Sequence, residues 1–114
     1  LHGPSAPRLF VNEHQDGAGH RMKNILDGLA VAAKNRMNFG GVLAAPNVVT
    51  QHGHNFRTLA DAFFGPGATD QLFVSRQTNL THRFRNVLEL EQSRPVFTPE
   101  SAVYVPAANE GPGP

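Results

Sequence analysis

The sequence has no cysteine and no tryptophan. The lack of cysteine excludes disulfide bonds, a thiolate nucleophile and a cysteine-ligated zinc site. Long hydrophobic runs are also lacking, since none approaches the roughly 20 apolar residues of a transmembrane helix. Ten Lys and Arg balance nine Asp and Glu, so there is no basic field to attract nucleic acid or an anionic membrane. We therefore expect no nucleic-acid partner and no membrane span in this chain.

The length of 114 residues is enough for one small domain. Hydrophobic residues make up 39% of the chain, and its 11 glycines and 9 prolines predict many loops. We expect residues 1–8 to be an extended lead-in, 9–98 a partial Rossmann-like α/β domain, and 99–114 a Pro/Gly-rich tail in which 103–105 could add an edge strand. Because the sequence begins with Leu1 and ends in this tail, we expect a piece of a longer protein.

The first half has the pattern of a strand, a glycine-rich loop, a helix and a second strand. Residues 9–11 are apolar and predict a short buried strand, while the polar residues and glycines of 12–19 predict a tight loop. Helical spacing of apolar residues follows over 20–36, and the apolar stretch 39–45 suits a second buried strand. Such a unit places its two strands in parallel with a right-handed crossover. The fold class predicted is an α/β, Rossmann-like, three-layer fragment with a short, mainly parallel sheet.

Two different faces of the predicted helix carry residues suited to packing. The larger apolar side chains recur at steps of three and four and predict the buried face. They are Met22, Ile25, Leu26, Leu29, Ala33 and Met37. Asn24 and Gly28 are small and lie one turn apart, so this side could approach a strand backbone closely, although Gly28 costs roughly 1 kcal/mol of helix propensity.

The second half is less regular. Residues 56–64 predict a short amphipathic helix that ends before Gly65, and 72–74 predict a third strand. Helical spacing over 80–94 includes the basic segment 82–85. The alternation at 88–91 would also suit a strand.

The strongest chemical signal is the turn around Gly17 and Gly19, because it lies where a strand leads into a helix. Glycines let a ligand approach the backbone, and the free amides at the helix start attract phosphate. Arg21 adds a guanidinium that can bind phosphate oxygens. The alternative is a tight turn with a solvated Arg21. Met22 occupies the third glycine position of a dinucleotide fingerprint and no Gly-Lys-Ser/Thr follows, so a nicotinamide enzyme and an NTPase are disfavoured.

The turn and helix together resemble a known family. Residues 17–21, Asn24, 26–30 and 32–37 are similar to the first turn and helix of the fucosyltransferase-like glycosyltransferases of GT-B fold, which include the protein O-fucosyltransferases. This resemblance covers about fifty residues. It implies transfer of a sugar, with fucose from GDP-fucose as one candidate, to a glycan or protein hydroxyl. No cofactor is implied.

The same resemblance implies a donor-binding role for residues facing the interdomain cleft. These are Gly17, Ala18, Gly19, His20, Arg21, Asn24, His52 and His54. The family's second half, with its His-x-Arg segment, has no counterpart here, and we do not assign that role to residues 82–85. The chain alone is therefore expected to be inactive. The alternative is a non-catalytic α/β module that binds a phosphorylated ligand or a protein partner.

Other groups near the turn have weaker patterns. Glu13 and Asp16 are weak candidates for the catalytic base, since ordinary turn chemistry also explains them. His14, His20, His52 and His54 could converge on a metal ion, but they lack helical ligand spacing, and we expect no metal site. Residues 79–81 form an N-glycosylation sequon, which would be compatible with the ER or Golgi lumen if the transferase interpretation holds.

Overall fold

The computed structural model describes residues 5–12, 18–44, 61–62 and 64–108, and gives only the backbone of 18–21, 69 and 70. A five-stranded sheet forms its centre, and every strand pair is parallel. The strands are β1 (Arg8–Asn12), β2 (Asn38–Leu43), β3 (Phe73–Val74), β4 (His82–Arg83) and β5 (Ala102–Val105), in the order β3-β2-β1-β5-β4. Besides helical residues at 61, 62 and 64, the described helices are α1 (Ala18–Lys34), α2 (Ala68–Leu72) and α3 (Val87–Gln92), followed by a 3-10 turn (Arg94–Val96). The predicted α/β class with a short parallel sheet is confirmed.

The predicted strand–helix–strand unit is also confirmed. Strand β1 pairs in parallel with β2, with Arg8 opposite Asn38. Helix α1 begins two residues earlier than predicted and ends at Lys34. Arg36 then adopts a left-handed φ of 57°, and the Met37 amide donates to the Ala32 carbonyl at 2.8 Å. This left-handed closing turn stops the helix and directs the chain into β2.

The buried face of α1 agrees with the prediction only in part, since Ile25 and Met37 are buried as predicted but other members of the predicted face are not. Leu26 and Leu29 are 51% and 39% exposed, and Ala33 is exposed as well. The face against the sheet consists mostly of small or amide residues: Asn24, Ile25, Gly28 and Ala32. A Cβ atom at Gly28 would lie 2.6 Å from Cε1 of Phe39. The absence of a side chain at Gly28 therefore leaves room for the Phe39 ring.

The sheet has two differently covered faces. One face, here called the helix face, carries Leu9, Val11, Val42, Val103 and Val105, which form one buried cluster with side chains of α1 and α3. The opposite face, here called the strap face, carries a second cluster built from Phe10, Leu43 and Ala102. Alternate strand residues point to opposite faces, which is why neighbouring apolar residues in β1 serve both clusters.

The strap face is covered by an extended connection in the described part of the chain. Residues 75–81 join β3 at one edge of the sheet to β4 at the other edge. Leu80 from this segment packs against the Phe10 cluster. The Thr81 amide donates to the Ala102 carbonyl at 2.8 Å. The connection thus takes the position that a helix has in a three-layer fold.

Three predictions for the second half need correction. Residues 80–94 do not form one helix, since β4 occupies 82–83 and α3 begins at Val87. Residues 88–91 lie in α3 and not in a strand. The strand predicted at the edge is β5, which lies inside the sheet between β1 and β4. The local pattern of β5 is too short to show that two other strands pair with it.

Two other boundaries agree with prediction. Residues 73 and 74 form the third strand. Residues 61, 62 and 64 are helical, and Gly65 ends this helix with a φ of +107° as its amide donates to the Asp61 carbonyl at 2.9 Å. The remainder of the helix predicted over 56–64 lies outside the described residues. No helix within the described ranges is long and apolar enough to cross a membrane.

Candidate functional site

The predicted ligand loop starts at the carboxyl end of β1. Strand β1 ends at Asn12 and α1 begins at Ala18, so the loop joins the sheet edge to the helix start. Parallel α/β sheets bind ligands at this edge. Ala18, Gly19, His20 and Arg21 form the first turn of α1, whose amides have no partner within the helix. Five other predicted site residues lie outside the described residues, namely Glu13, Asp16, Gly17, His52 and His54.

Asn24 lies beneath this edge, only 2% exposed. Its side-chain nitrogen donates to the Asn12 carbonyl at 3.1 Å, and its side-chain oxygen accepts from the Ala108 amide at 3.1 Å. The amide group thereby ties α1 to the end of β1 and to the segment after β5. These two hydrogen bonds account for the burial of the polar Asn24 side chain without any contact to a ligand. Its predicted contact with a donor molecule stays a prediction.

Arg76 lies at the same edge, directly after β3. The Ser75–Thr78 turn positions it, closed by a 3.0 Å hydrogen bond from the Thr78 amide to the Ser75 carbonyl. Its Nε donates to the Ala44 carbonyl at 3.0 Å, and one terminal nitrogen donates to Oδ1 of Asn12 at 2.8 Å. The guanidinium therefore bridges the carboxyl ends of β1 and β2, and the two bonds hold its plane in place.

Tyr104 of β5 and Arg83 of β4 lie on the strap face of the same sheet. In the register of the sheet, Tyr104 is opposite both Phe10 and Arg83. The Arg83 guanidinium carbon is 5.8 Å from the centre of the Tyr104 ring, within range of a cation–π contact. Asn12 is two residues beyond Phe10, so its side chain points to the same face as that of Tyr104.

The electrostatics of Tyr104 reflect both arginines. Burial raises the pKa of the Tyr104 hydroxyl above its ordinary value of 10.0, and the charges of Arg76 and Arg83 oppose this rise in part. The hydroxyl is therefore neutral at physiological pH and able to donate a hydrogen bond. We call Asn12, Arg76, Arg83 and Tyr104 the carboxyl-edge arginine site.

The carboxyl-edge arginine site is suited to binding an anion. The ion pairs between described residues are Lys23–Asp27, Lys34–Glu91 and Arg85–Glu89, and neither arginine of the site belongs to one of them. Guanidinium groups bind phosphate and carboxylate oxygens through paired N–H donors. The start of α1 lies at the same edge of the sheet, and the positive end of a helix dipole favours the same ligand charge.

Sequence patterns did not identify the carboxyl-edge arginine site. The helical spacing over 80–94 places Arg83 in a predicted helix, and Tyr104 falls in the predicted tail, within the possible edge strand 103–105. Asn12 was assigned to the loop, although it is the last residue of β1. One signal was present, since Arg76 follows an apolar strand by two residues, as polar ligand-binding residues do at the carboxyl edge of parallel sheets.

The other predicted features have less structural support. Among the residues that the structure describes, no group of three His, Asp or Glu could hold a metal ion. His14, His52 and His54, and the side chain of His20, lie outside that part of the chain. Asn79 of the sequon is exposed, and the Thr81 hydroxyl accepts from the Ala102 amide at 2.9 Å.

The fold and the edge site together define a Rossmann-like α/β unit with an open parallel sheet. The chain matches no protein-family model, no curated protein and no solved structure.

Proposed function

We propose that this chain is an α/β module that binds a phosphate-bearing ligand at the carboxyl edge of its sheet. The chemical class proposed for the ligand is a nucleotide or sugar nucleotide. The module binds without catalysing a reaction by itself. Its ligand lies across the ends of β1 and β2, between the start of α1 and the carboxyl-edge arginine site.

The main support is the fixed position of Arg76. Arg76 is exposed, yet it bonds both the Ala44 carbonyl and Asn12 Oδ1 at the ends of two strands. Because these bonds already order the side chain, less side-chain entropy is lost when a ligand binds to it. The arginine also sits at the edge where open parallel sheets bind their ligands.

The second candidate is a half of a sugar transferase. It is supported by the resemblance at residues 17–37 and by the parallel β1–α1–β2 unit that contains them. In this proposal GDP-fucose is the donor and a glycan or protein hydroxyl is the acceptor. The donor would occupy the edge site, and a further Rossmann-like half would complete the active site.

A thermal-shift titration with GDP, UDP and GDP-fucose tests both candidates, because a ligand that binds the folded state raises its apparent stability. We expect a rise in midpoint with at least one nucleotide. Arg76→Gln should reduce that rise, because it removes the positive charge and most of the donors. Arg21→Ala tests the predicted loop contact in the same way.

Arg85→Gln is the matched control. Arg85 is exposed and pairs with Glu89, and it does not belong to the carboxyl-edge arginine site. It should leave the nucleotide shift unchanged. A rise confined to GDP and GDP-fucose would favour the transferase half. A folded wild-type chain that shows no shift with any of the three ligands would contradict the phosphate-binding module.

A further inference from the structure

Two arginines approach Tyr104 from different strands. Arg76 reaches the edge from the turn after β3, and Arg83 comes from β4. Between them lie β2, β1 and β5 in the order of the sheet. Arg83 therefore reaches Tyr104 from one edge of the sheet, and Arg76 comes from the other edge to bond Asn12, which lies two residues beyond Phe10, the partner of Tyr104 in β1.

The protein contacts of each arginine use only part of its guanidinium group and leave other N–H donors for a ligand. Arg76 is tied to Asn12 and Ala44 through two of its nitrogens. Arg83 lies over the Tyr104 ring, and a guanidinium held by its face still has N–H donors along its edge. An anion that lies between the two guanidinium groups would be attracted by both charges.

We infer that Arg76 and Arg83 form two subsites for a ligand with two adjacent anionic groups, with Tyr104 donating a hydrogen bond between them. The ligand class is a diphosphate, as in a nucleoside diphosphate or its sugar ester, in preference to a phosphate monoester. This inference rests on the proposed function, since it assigns a phosphate preference to the same site. It adds Arg83 and Tyr104 as residues that determine this preference.

The test compares pyrophosphate with inorganic phosphate, titrated into the full chain by calorimetry at matched ionic strength. We expect the wild type to bind pyrophosphate more tightly. Arg83→Gln should weaken pyrophosphate binding about tenfold, as expected for loss of one charge-assisted hydrogen-bonding group. Binding of inorganic phosphate at Arg76 should change little. Arg83→Lys keeps the charge and should restore part of the preference.

Arg8→Gln is the matched control. Arg8 also lies over an aromatic ring of the strap face, 5.4 Å from the centre of Phe10, but it is at the start of β1. Its removal takes away the same charge from the opposite end of the strand and should leave the pyrophosphate preference intact. Circular dichroism of each variant confirms that it is folded before titration.

The outcomes separate this inference from the proposed function. Equal affinity of the wild type for the two anions would overturn the two-subsite inference and leave the proposed function standing. So would an Arg83→Gln variant that keeps the full preference. Failure of the folded wild type to bind either anion would overturn the inference together with the phosphate-binding proposal. A preference lost with Arg83→Gln but not with Arg8→Gln supports the two subsites.

Discussion

Single side chains at the carboxyl edge join parts of the chain that are far apart in sequence. The Asn12 amide donates to the Pro106 carbonyl at 3.2 Å, and the Asn12 carbonyl and side chain accept from Asn24 and Arg76. One residue thus links the end of β1 to α1, to the turn after β3 and to the segment after β5. These hydrogen bonds fix the position of Asn12 within the carboxyl-edge arginine site.

The titration of Tyr104 gives a direct measure of its surroundings. It is the one tyrosine of the sequence, which has no tryptophan, so tyrosinate absorbance reports Tyr104 without overlap. We expect a midpoint above 10.0, because burial raises the pKa of this hydroxyl. Arg76→Gln should raise the midpoint further, since the Arg76 charge stabilises the phenolate. A wild-type midpoint at or below 10.0 would contradict the burial of the hydroxyl.

The same pKa shift predicts how stability depends on alkaline pH. A hydroxyl whose pKa is raised by folding holds its proton longer in the folded state than in the unfolded state. The free energy of unfolding therefore falls as the pH rises from about 10. The Tyr104→Phe variant lacks the titrating hydroxyl. Its thermal midpoint should therefore fall less than that of the wild type when the pH is raised from neutral to above about 10.

Among the elements, α1 shows that packing can override an apolar pattern. The sequence offers a wide stripe with Leu26 and Leu29, yet both are exposed. A close approach at Gly28 lets the partly buried Phe39 ring of β2 pack against the helix. The spacing of apolar residues identified the helix correctly, but the choice of face depended on the shape of its neighbour in β2.

Replacing Gly28 tests this packing. Helix propensity alone predicts that Gly28→Ala stabilises the fold by about 1 kcal/mol. We expect instead a loss of about 1–3 kcal/mol, as for other overpacked cores, because the added methyl group would meet Phe39 at 2.6 Å. Chemical denaturation measures the difference.

Two further variants serve as controls for this substitution. Ala30→Gly changes an exposed position of the same helix and gives the propensity cost without a packing change. Combining Gly28→Ala with Phe39→Leu should recover part of the loss, because the aromatic ring that meets the new methyl group is gone. If Gly28→Ala stabilises the protein by as much as Ala30→Gly destabilises it, the expected steric conflict between the new methyl group and Phe39 is contradicted.

In the molecule as a whole, the sheet depends on a strand that comes late in the chain. Strand β5 pairs with β1 on one side and β4 on the other, although it lies in the segment predicted as a tail. Its Ala102, Val103 and Val105 side chains are at most 1% exposed. The core therefore closes only when residues about 90 positions apart along the chain have paired, a non-local contact that is formed at an entropic cost.

Shortening the chain tests this dependence. A chain that ends after residue 100 lacks β5, so β4 loses its pairing partner and β1 loses one of two. We expect it to show no cooperative thermal unfolding in circular dichroism. A chain that ends after Ala108 keeps β5 and the Ala108 bond to Asn24, and it should unfold cooperatively. Cooperative unfolding of the shorter chain would show that β5 is dispensable.

The sequence by itself determined the β1–α1–β2 unit, the third strand and the α/β class. Their signals are local, because a short apolar run, a helical spacing and a glycine are each read within one turn or strand. The place of the predicted ligand loop follows from the same unit, since a βαβ connection always leaves from the carboxyl end of its first strand.

Only the tertiary structure decided which face of α1 is buried, where β5 joins the sheet, and which arginines share an edge. Phe39 meets Gly28, Tyr104 lies opposite Phe10, and Arg76 reaches Asn12. Each of these pairs joins residues from different elements, two of them more than sixty positions apart. Local spacing carries no information about such partners, because strand order and register are set by the burial of the whole sheet.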